Sequence, residues 1–178
     1  MRVIGFDPGL RRTGWGVIAV QGSSLRHVAN GVIETDDRQD VPRRLVQIHE
    51  GICEILRSYE PDEAAVETTL ANKNAASTLK LGLARGVVLM TPANTGLPVA
   101  EYLPNIVKKS VVGTGHAAKE QVQMMVRRLL PGGDITAADA ADALAVAICH
   151  SHFRATRQVW SAGRDDPLAA AGRGGTSP

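Results

Sequence analysis

Four carboxylates stand where their spacing could support chemistry: Asp7, Glu67, Asp139 and Asp142. Asp7 closes the apolar run Arg2-Val-Ile-Gly-Phe-Asp7 and is followed at once by Pro8-Gly9. Proline removes a backbone donor and glycine opens φ, so a strand must stop and turn there, leaving Asp7 at its lip. An aspartate in that place can also do no more than bond its own turn. Glu67 closes a second short run, Glu63-Ala-Ala-Val-Glu67. Asp139 and Asp142 are spaced i, i+3, so on a helix they share one face with Cβ atoms about 5–6 Å apart. Thr136-Ala-Ala-Asp139 resembles a capping box, and an acid in a first turn favours the helix dipole, so Asp139 taken alone reads as a cap. Asp142 lies one turn further in, among Ala140, Ala141, Ala143, Leu144 and Ala145, where a carboxylate is costly unless paired or metal-bound.

Carboxylates gathered in one place repel, and their pKa values rise unless cations neutralise them. Hard oxygen donors in twos and threes suit Mg²⁺, with Mn²⁺ as a substitute, and water and phosphate oxygens complete the shell. Two such ions roughly 3.5–4 Å apart can activate water and stabilise the leaving oxygen in phosphodiester hydrolysis. Zinc is disfavoured, because no cysteine pair or His-x-x-x-His spacing joins the acids. His150 and His152 are two apart on a helix and point to different faces.

The elements that would position these acids follow from periodicity and punctuation. After a turn at Gly14-Trp-Gly16, Val17–Val20 reads as a second strand, Gln21–Ser24 as a hairpin loop and Leu25–Glu34 as a third strand, making an antiparallel meander. Asp40 is a plausible N-cap before Val41-Pro42, and Leu45, Ile48, Ile52, Ile55 and Leu56 recur at helical spacing to about Tyr59. Pro61-Asp62 ends that helix and Glu63–Glu67 is a fourth strand. A helical crossover favours a parallel neighbour, so the C-terminal ends of strands one and four, with Asp7 and Glu67, are expected on one rim. Residues 72–84 are a helix candidate, with Leu79, Leu83, Val87 and Met90 on one face and Gly82 and Gly86 four apart, a spacing that permits close approach of another helix. Leu97–Leu103 reads as a fifth strand, Asn105–Val112 as a short helix and Ala117–Leu130 as another. Ala137–Phe153 is the last ordered helix, with Leu144, Ala145, Ile148 and His152 on its core-facing side. Residues 156–178, rich in Gly, Ala, Ser and Arg, read as a flexible tail after a domain spanning 1–155.

With 178 residues and 44% hydrophobic content, the chain suits one compact domain, and only 3% aromatic content leaves packing to Leu, Ile, Val and Ala. Cys53 and Cys149 fall in apolar helical patterns, as buried thiols do. No stretch approaches the ~20 apolar residues of a membrane helix, and the start lacks a signal-peptide pattern, so a cytoplasmic setting without membrane contact is expected. Net charge is only +2. Residues 104–130 nevertheless hold Lys108, Lys109, Lys119, Arg127 and Arg128 against the single acid Glu120. Such a segment suits a polyanion, or equally a solvated helix face.

Five blocks give the pattern a family likeness: GFDPGLRRTGWGVI, AAVETT, NKNAASTLKLGLARGV, VKKSVVGTGHAAKEQV and ADAADALAVAICH. In this order and spacing, across about residues 1–154, they resemble the RuvC family of Holliday-junction resolvases. The resemblance implies an α/β, ribonuclease-H-like fold, a five-stranded mixed sheet flanked by helices, working as a homodimer. It implies that Asp7, Glu67, Asp139 and Asp142 bind metal and that Lys108 and Lys119 hold DNA; two Mg²⁺ ions bridged by Asp7 are the arrangement expected from the acids' chemistry. It further implies a four-way DNA junction as substrate, nicked symmetrically to leave 5′ phosphates. The RuvA and RuvB branch-migration proteins are the implied partners, and the glycine-bearing helix within 73–90 the dimer contact. Where the family commonly carries a base-stacking phenylalanine, three residues after the glutamate, this chain has Leu70. An aliphatic wedge can separate bases but lacks the π-face that makes stacking worth ~1–3 kcal/mol per base, so an altered sequence preference is expected.

Other readings remain open on the sequence alone. The strand-Asp-x-Gly opening also resembles actin-like ATPases and sugar kinases, although those need two such domains to enclose a nucleotide. A junction-binding protein with altered catalysis, or a related nuclease with another substrate preference, is the remaining alternative.

Overall fold

The computed structural model describes residues 1–68 and 74–162. Strands β1 (Arg2–Asp7), β2 (Arg12–Gln21) and β3 (Ser24–Glu34) form the expected antiparallel meander. Helix α1 (Val41–Tyr59) then crosses to β4 (Glu63–Glu67), which pairs parallel with β1. Helix α2 (Ala75–Asn94) leads to β5 (Val99–Tyr102), parallel to β4, and α3 (Pro104–Val112), α4 (Lys119–Leu129) and α5 (Ala138–Ala162) follow. The sheet order is β3-β2-β1-β4-β5, so β1 is central and β4 lies beside it.

The first turn falls at Pro8-Gly9 as expected, and the further turn expected at Gly14-Trp-Gly16 is absent. The chain turns between Asp7 and Arg12, where the Thr13 hydroxyl donates to the Gly9 carbonyl at 2.8 Å. Gly14 and Gly16 belong to the interior of β2, in register with Asp7 and Gly5 of β1. Their lack of a side chain serves packing: a Cβ on Gly14 would stand 2.1 Å from the Asp139 carbonyl oxygen, and one on Gly5 2.1 Å from that of Ala143. Helix α5, alanine-rich on this side, therefore lies almost flush on β1 and β2. Gly5→Ala would push α5 off the sheet by its backbone, which cannot yield as a side chain can. We expect it to cost about 1–3 kcal/mol, read as a lowered Tm in thermal denaturation; an unchanged Tm would refute this close packing.

The two-residue repeat of the strands divides the core into two layers. Ile4, Phe6, Val17, Ala64 and Val66 pack against α1 and α2, where Ile48, Ile52 and Val88 are fully buried. Val3, Ile18 and Ala65 pack on the other side against α3, α4 and α5. Asp7 and Glu67 share the parity of Val3 and Ala65 and so point toward the α5 side.

Helix α1 begins as expected, with the Asp40 carboxylate accepting from the Arg43 amide at 3.1 Å. Other elements depart from the sequence reading. Helix α2 runs to Asn94, ten residues beyond the expected end at 84, and buries Ala84, Val88, Thr91 and Pro92. Leu79, Leu83 and Met90 are left exposed, with open space above Gly82 and Gly86. Helix α5 continues to Ala162, past its expected end at Phe153; residues 163–178 lie outside the described residues.

His152, expected to face the core, is exposed and shares a hydrogen bond with Ser110. His150 is the buried one, held between the Tyr102 hydroxyl at 2.9 Å and the Glu63 carboxylate at 2.7 Å. Among the described residues no helix is long and apolar enough to cross a membrane. Both cysteines are free, Cys149 buried and Cys53 half-buried.

Candidate active site

The parallel pairing of β1 with β4 runs in register from Val3–Glu63 to Phe6–Val66. One residue further along each strand come Asp7 and Glu67, at the C-terminal rim and on the α5 side. The Glu67 end of β4 is tied in turn to β5, since the Thr68 amide donates to the Tyr102 carbonyl at 2.8 Å. Helix α5 starts over Gly14, the register partner of Asp7, so its first turn overhangs the same rim. Asp142, one turn on, faces the strand acids.

These groups bound one cavity of about 260 Å³, lined by Asp7, Glu67, Asp142, Lys108 and Lys119 against an apolar wall that includes Val107 and Val122. Lys108 arrives on α3, which β5 launches from the rim, and Lys119 opens α4. The Lys119 ammonium lies 2.6 Å from Asp142. Three of the four predicted acids and both predicted lysines thus converge. Leu70 lies outside the described residues.

Asp139 is brought to the rim but does not line that cavity. Its side chain does not cap the helix in the expected way, because α5 begins at Ala138 and the Asp139 carboxylate turns instead toward β2. There it accepts from Arg12 Nε at 2.7 Å. Arg12 also pairs with Glu34, its cross-strand partner on β3. Neither Arg12 nor Glu34 was singled out from the sequence. The signal available was only parity: Arg12 lies two residues from Gly14, on which Asp139 rests.

The electrostatics are those of an acid cluster short of positive charge. Burial, then repulsion from Glu67 and Asp142, pushes the Asp7 carboxyl up from 3.8 to about 7, with Lys119 pulling the other way. Burial and the Asp142 charge push Glu67 from 4.5 to about 7, against the pull of Lys108 and Lys119. Asp142 is raised as well, chiefly by burial, with Lys119 opposing. Lys119 is itself held more firmly protonated, first by its hydrogen bond to Asp142.

The donor set fits hard divalent cations. Buried oxygen ligands of one sign are destabilised by their own charge, and a cation relieves that directly. Among the described residues, no three Asp, Glu, His or Cys side chains stand as a ready-made cage. Lys119 and Arg12 are each paired with one of the four carboxylates, Asp142 and Asp139.

A mixed sheet in this order, with acids ending its first strand and that strand's parallel neighbour and a helix bearing two more across them, is a ribonuclease-H-like nuclease scaffold. A yeast mitochondrial Holliday junction resolvase shares the fold, with a TM-score of 0.63 at 12% identity over 90% of this chain and 83% of that one. The family model for crossover junction endodeoxyribonuclease RuvC matches residues 3–150. The crossover junction endodeoxyribonuclease RuvC of Rhodospirillum rubrum is 63% identical over 155 residues, covering 87% of this chain and 92% of its own. That of Paramagnetospirillum magneticum is 62% identical, covering 89% and 95%. The T. thermophilus RuvC in complex with Holliday junction substrate superposes with a TM-score of 0.82 at 35% identity, over 88% of this chain and 96% of that one. This chain belongs to the RuvC family of crossover junction endodeoxyribonucleases, a family of metal-dependent nucleases.

Proposed function

We propose that the protein resolves four-way DNA junctions by nicking two strands of like polarity, using the acid-lined cavity at the end of β1. The observation that carries this reading is the convergence of Asp7, Glu67 and Asp142 with Lys108 and Lys119 on one cavity. That combination suits a phosphodiester backbone: carboxylates to hold cations, and ammonium groups to hold the phosphates beside them.

Asp7, Glu67, Asp142 and, once freed from Arg12, Asp139 hold the ions, which we assign as two Mg²⁺ with Mn²⁺ able to substitute. Bound there, such ions supply Lewis acidity toward the phosphate and lower the pKa of water. Lys119 exchanges its Asp142 partner for a backbone phosphate, and Lys108 steadies the same strand from α3. Val107 and Val122 exclude bulk water from one side, which strengthens every charge interaction within. The scissile strand is left with a 5′ phosphate.

Paired nicking needs two sites related by a two-fold axis. The exposed apolar face of α2, with Leu79, Leu83 and Met90 beside the open Gly82 and Gly86, supports a homodimer through that helix. The setting is cytoplasmic DNA recombination and repair, with the RuvA and RuvB branch-migration proteins as partners.

For Lys119→Ala we expect weaker junction binding and a log–log salt slope shallower by about 0.9; an unaltered slope would remove Lys119 from the DNA face. The test of the function as a whole is incubation of the protein with a labelled four-way junction and with linear duplex, each with Mg²⁺ or with chelator. Paired, symmetric nicks on the junction alone, and only with metal, are expected. Equal cutting of the duplex, or cutting in chelator, would overturn the proposal.

A further inference from the structure

The cavity and its surroundings sort the four acids unequally. Three line the cavity, whereas Asp139, still close enough for its charge to be felt by Asp7 and Asp142, has its carboxylate bonded by Arg12, at 2.7 Å from the Nε. Arg12 is anchored from behind by Glu34, which stands directly opposite it in the β2–β3 ladder. Its side chain is nonetheless 44% exposed, at the end of β2 that lies beside the Asp7 end of β1. A guanidinium in that place has two anions available in turn, a carboxylate before DNA arrives and a phosphate afterwards. Its planar fork matches either.

We propose that Arg12 is a positioning residue that works by anion exchange. In the DNA-free protein it holds Asp139 away from the metal-binding carboxylates. When a junction binds, it transfers to a backbone phosphate and releases Asp139 to complete the ion set. The exchange breaks and forms ion pairs only. Glu34 keeps Arg12 on the rim throughout, so the arginine swings between ligands and does not leave the site. The consequence is that metal loading and DNA binding assist one another, and by linkage each raises the affinity of the other by the same factor. An enzyme so built completes its cutting site mainly on DNA that reaches the rim. This inference rests on the proposed metal-dependent function of the same site.

The test titrates the full-length, DNA-free protein with MnCl₂ and reads ion binding by calorimetry, without any cleavage step. Arg12→Gln, which frees Asp139, should bind Mn²⁺ about threefold to fivefold tighter than wild type, the range of a partly exposed ion pair. Arg12→Lys, which keeps the charge without the fork, should fall between the two. Glu34→Gln, which leaves Arg12 with Asp139 as its only carboxylate partner among the described residues, should bind Mn²⁺ more weakly. The two neutralising variants thus move in opposite directions, and Glu34→Gln still decides if Arg12→Gln fails to fold. In junction binding measured in chelator, Arg12→Gln should lose about 0.9 from the salt slope and Glu34→Gln should not. Unchanged Mn²⁺ affinity in both variants, or weaker binding in Arg12→Gln, would overturn the exchange. If wild type binds Mn²⁺ and cuts junctions in that case, the function proposed above survives. If wild type does neither, both fall together.

Discussion

Asp7→Asn is expected to abolish strand cleavage, by about 10³-fold or more, equivalent to at least about 4 kcal/mol of lost transition-state stabilisation. Junction binding should persist. The reason is position: Asp7 is on the central strand, between Glu67 on β4 and the acids of α5, and its carboxyl is pushed up first by burial, then by Glu67 and Asp142, and least by Asp139. It is the acid on which the other three bear. Asparagine keeps the shape and one acceptor oxygen but removes the charge that would hold a cation, and it relieves repulsion toward a phosphate backbone. Single-turnover cleavage and junction binding, measured on the same preparation, separate the two effects. Cleavage within tenfold of wild type would remove Asp7 from the chemistry.

The same substitution is expected to stabilise the metal-free fold, increasingly so as pH rises. Asp7 is raised from 3.8 to about 7, so between those values the folded protein keeps a proton that the unfolded chain has released. The folded state is then progressively disfavoured as pH climbs through that window, and the full cost is present above about 7. Three pH units correspond to about 4 kcal/mol for a fully independent group; sharing the charge with Glu67 and Lys119 reduces this to about 2–3 kcal/mol. In chelator, the Tm of Asp7→Asn should exceed that of wild type by about 5–10 °C at pH 8 and by little at pH 4. Saturating Mg²⁺ should reverse the order, because only wild type gains from the ion. A Tm difference that did not grow with pH would contradict the charge crowding described here.

Much of this site is legible along the chain, for reasons that can be stated. Asp7 and Glu67 meet because a helix between two short strands makes them parallel neighbours, and a two-residue repeat then fixes which side each acid faces. Asp142 is legible because a carboxylate one turn into an alanine-rich helix needs a partner, and Lys119 supplies one. What local pattern conceals is the use of residues whose partners lie far off in sequence. Gly14 and Gly16 read as a turn, since nothing nearby says that a helix more than a hundred residues later will rest on them. The pairing of Asp139 with Arg12 spans 127 positions and competes with a perfectly reasonable cap. His150 and His152 are exchanged in burial because Tyr102 and Glu63, far off in sequence, take the imidazole of His150. The exposed apolar side of α2 is a helix face like any other until the core is seen to take Ala84 and Val88 instead.

The central claim is that the carboxylates at the end of β1 hold the catalytic cations. Anomalous scattering from crystals soaked in Mn²⁺ tests it directly, with and without bound junction. The expected result is density within the cavity between Asp7, Glu67 and Asp142, absent from Asp7→Asn crystals treated alike. Mn²⁺ density elsewhere on the protein and none in the cavity, in a preparation that still cuts junctions, would contradict it.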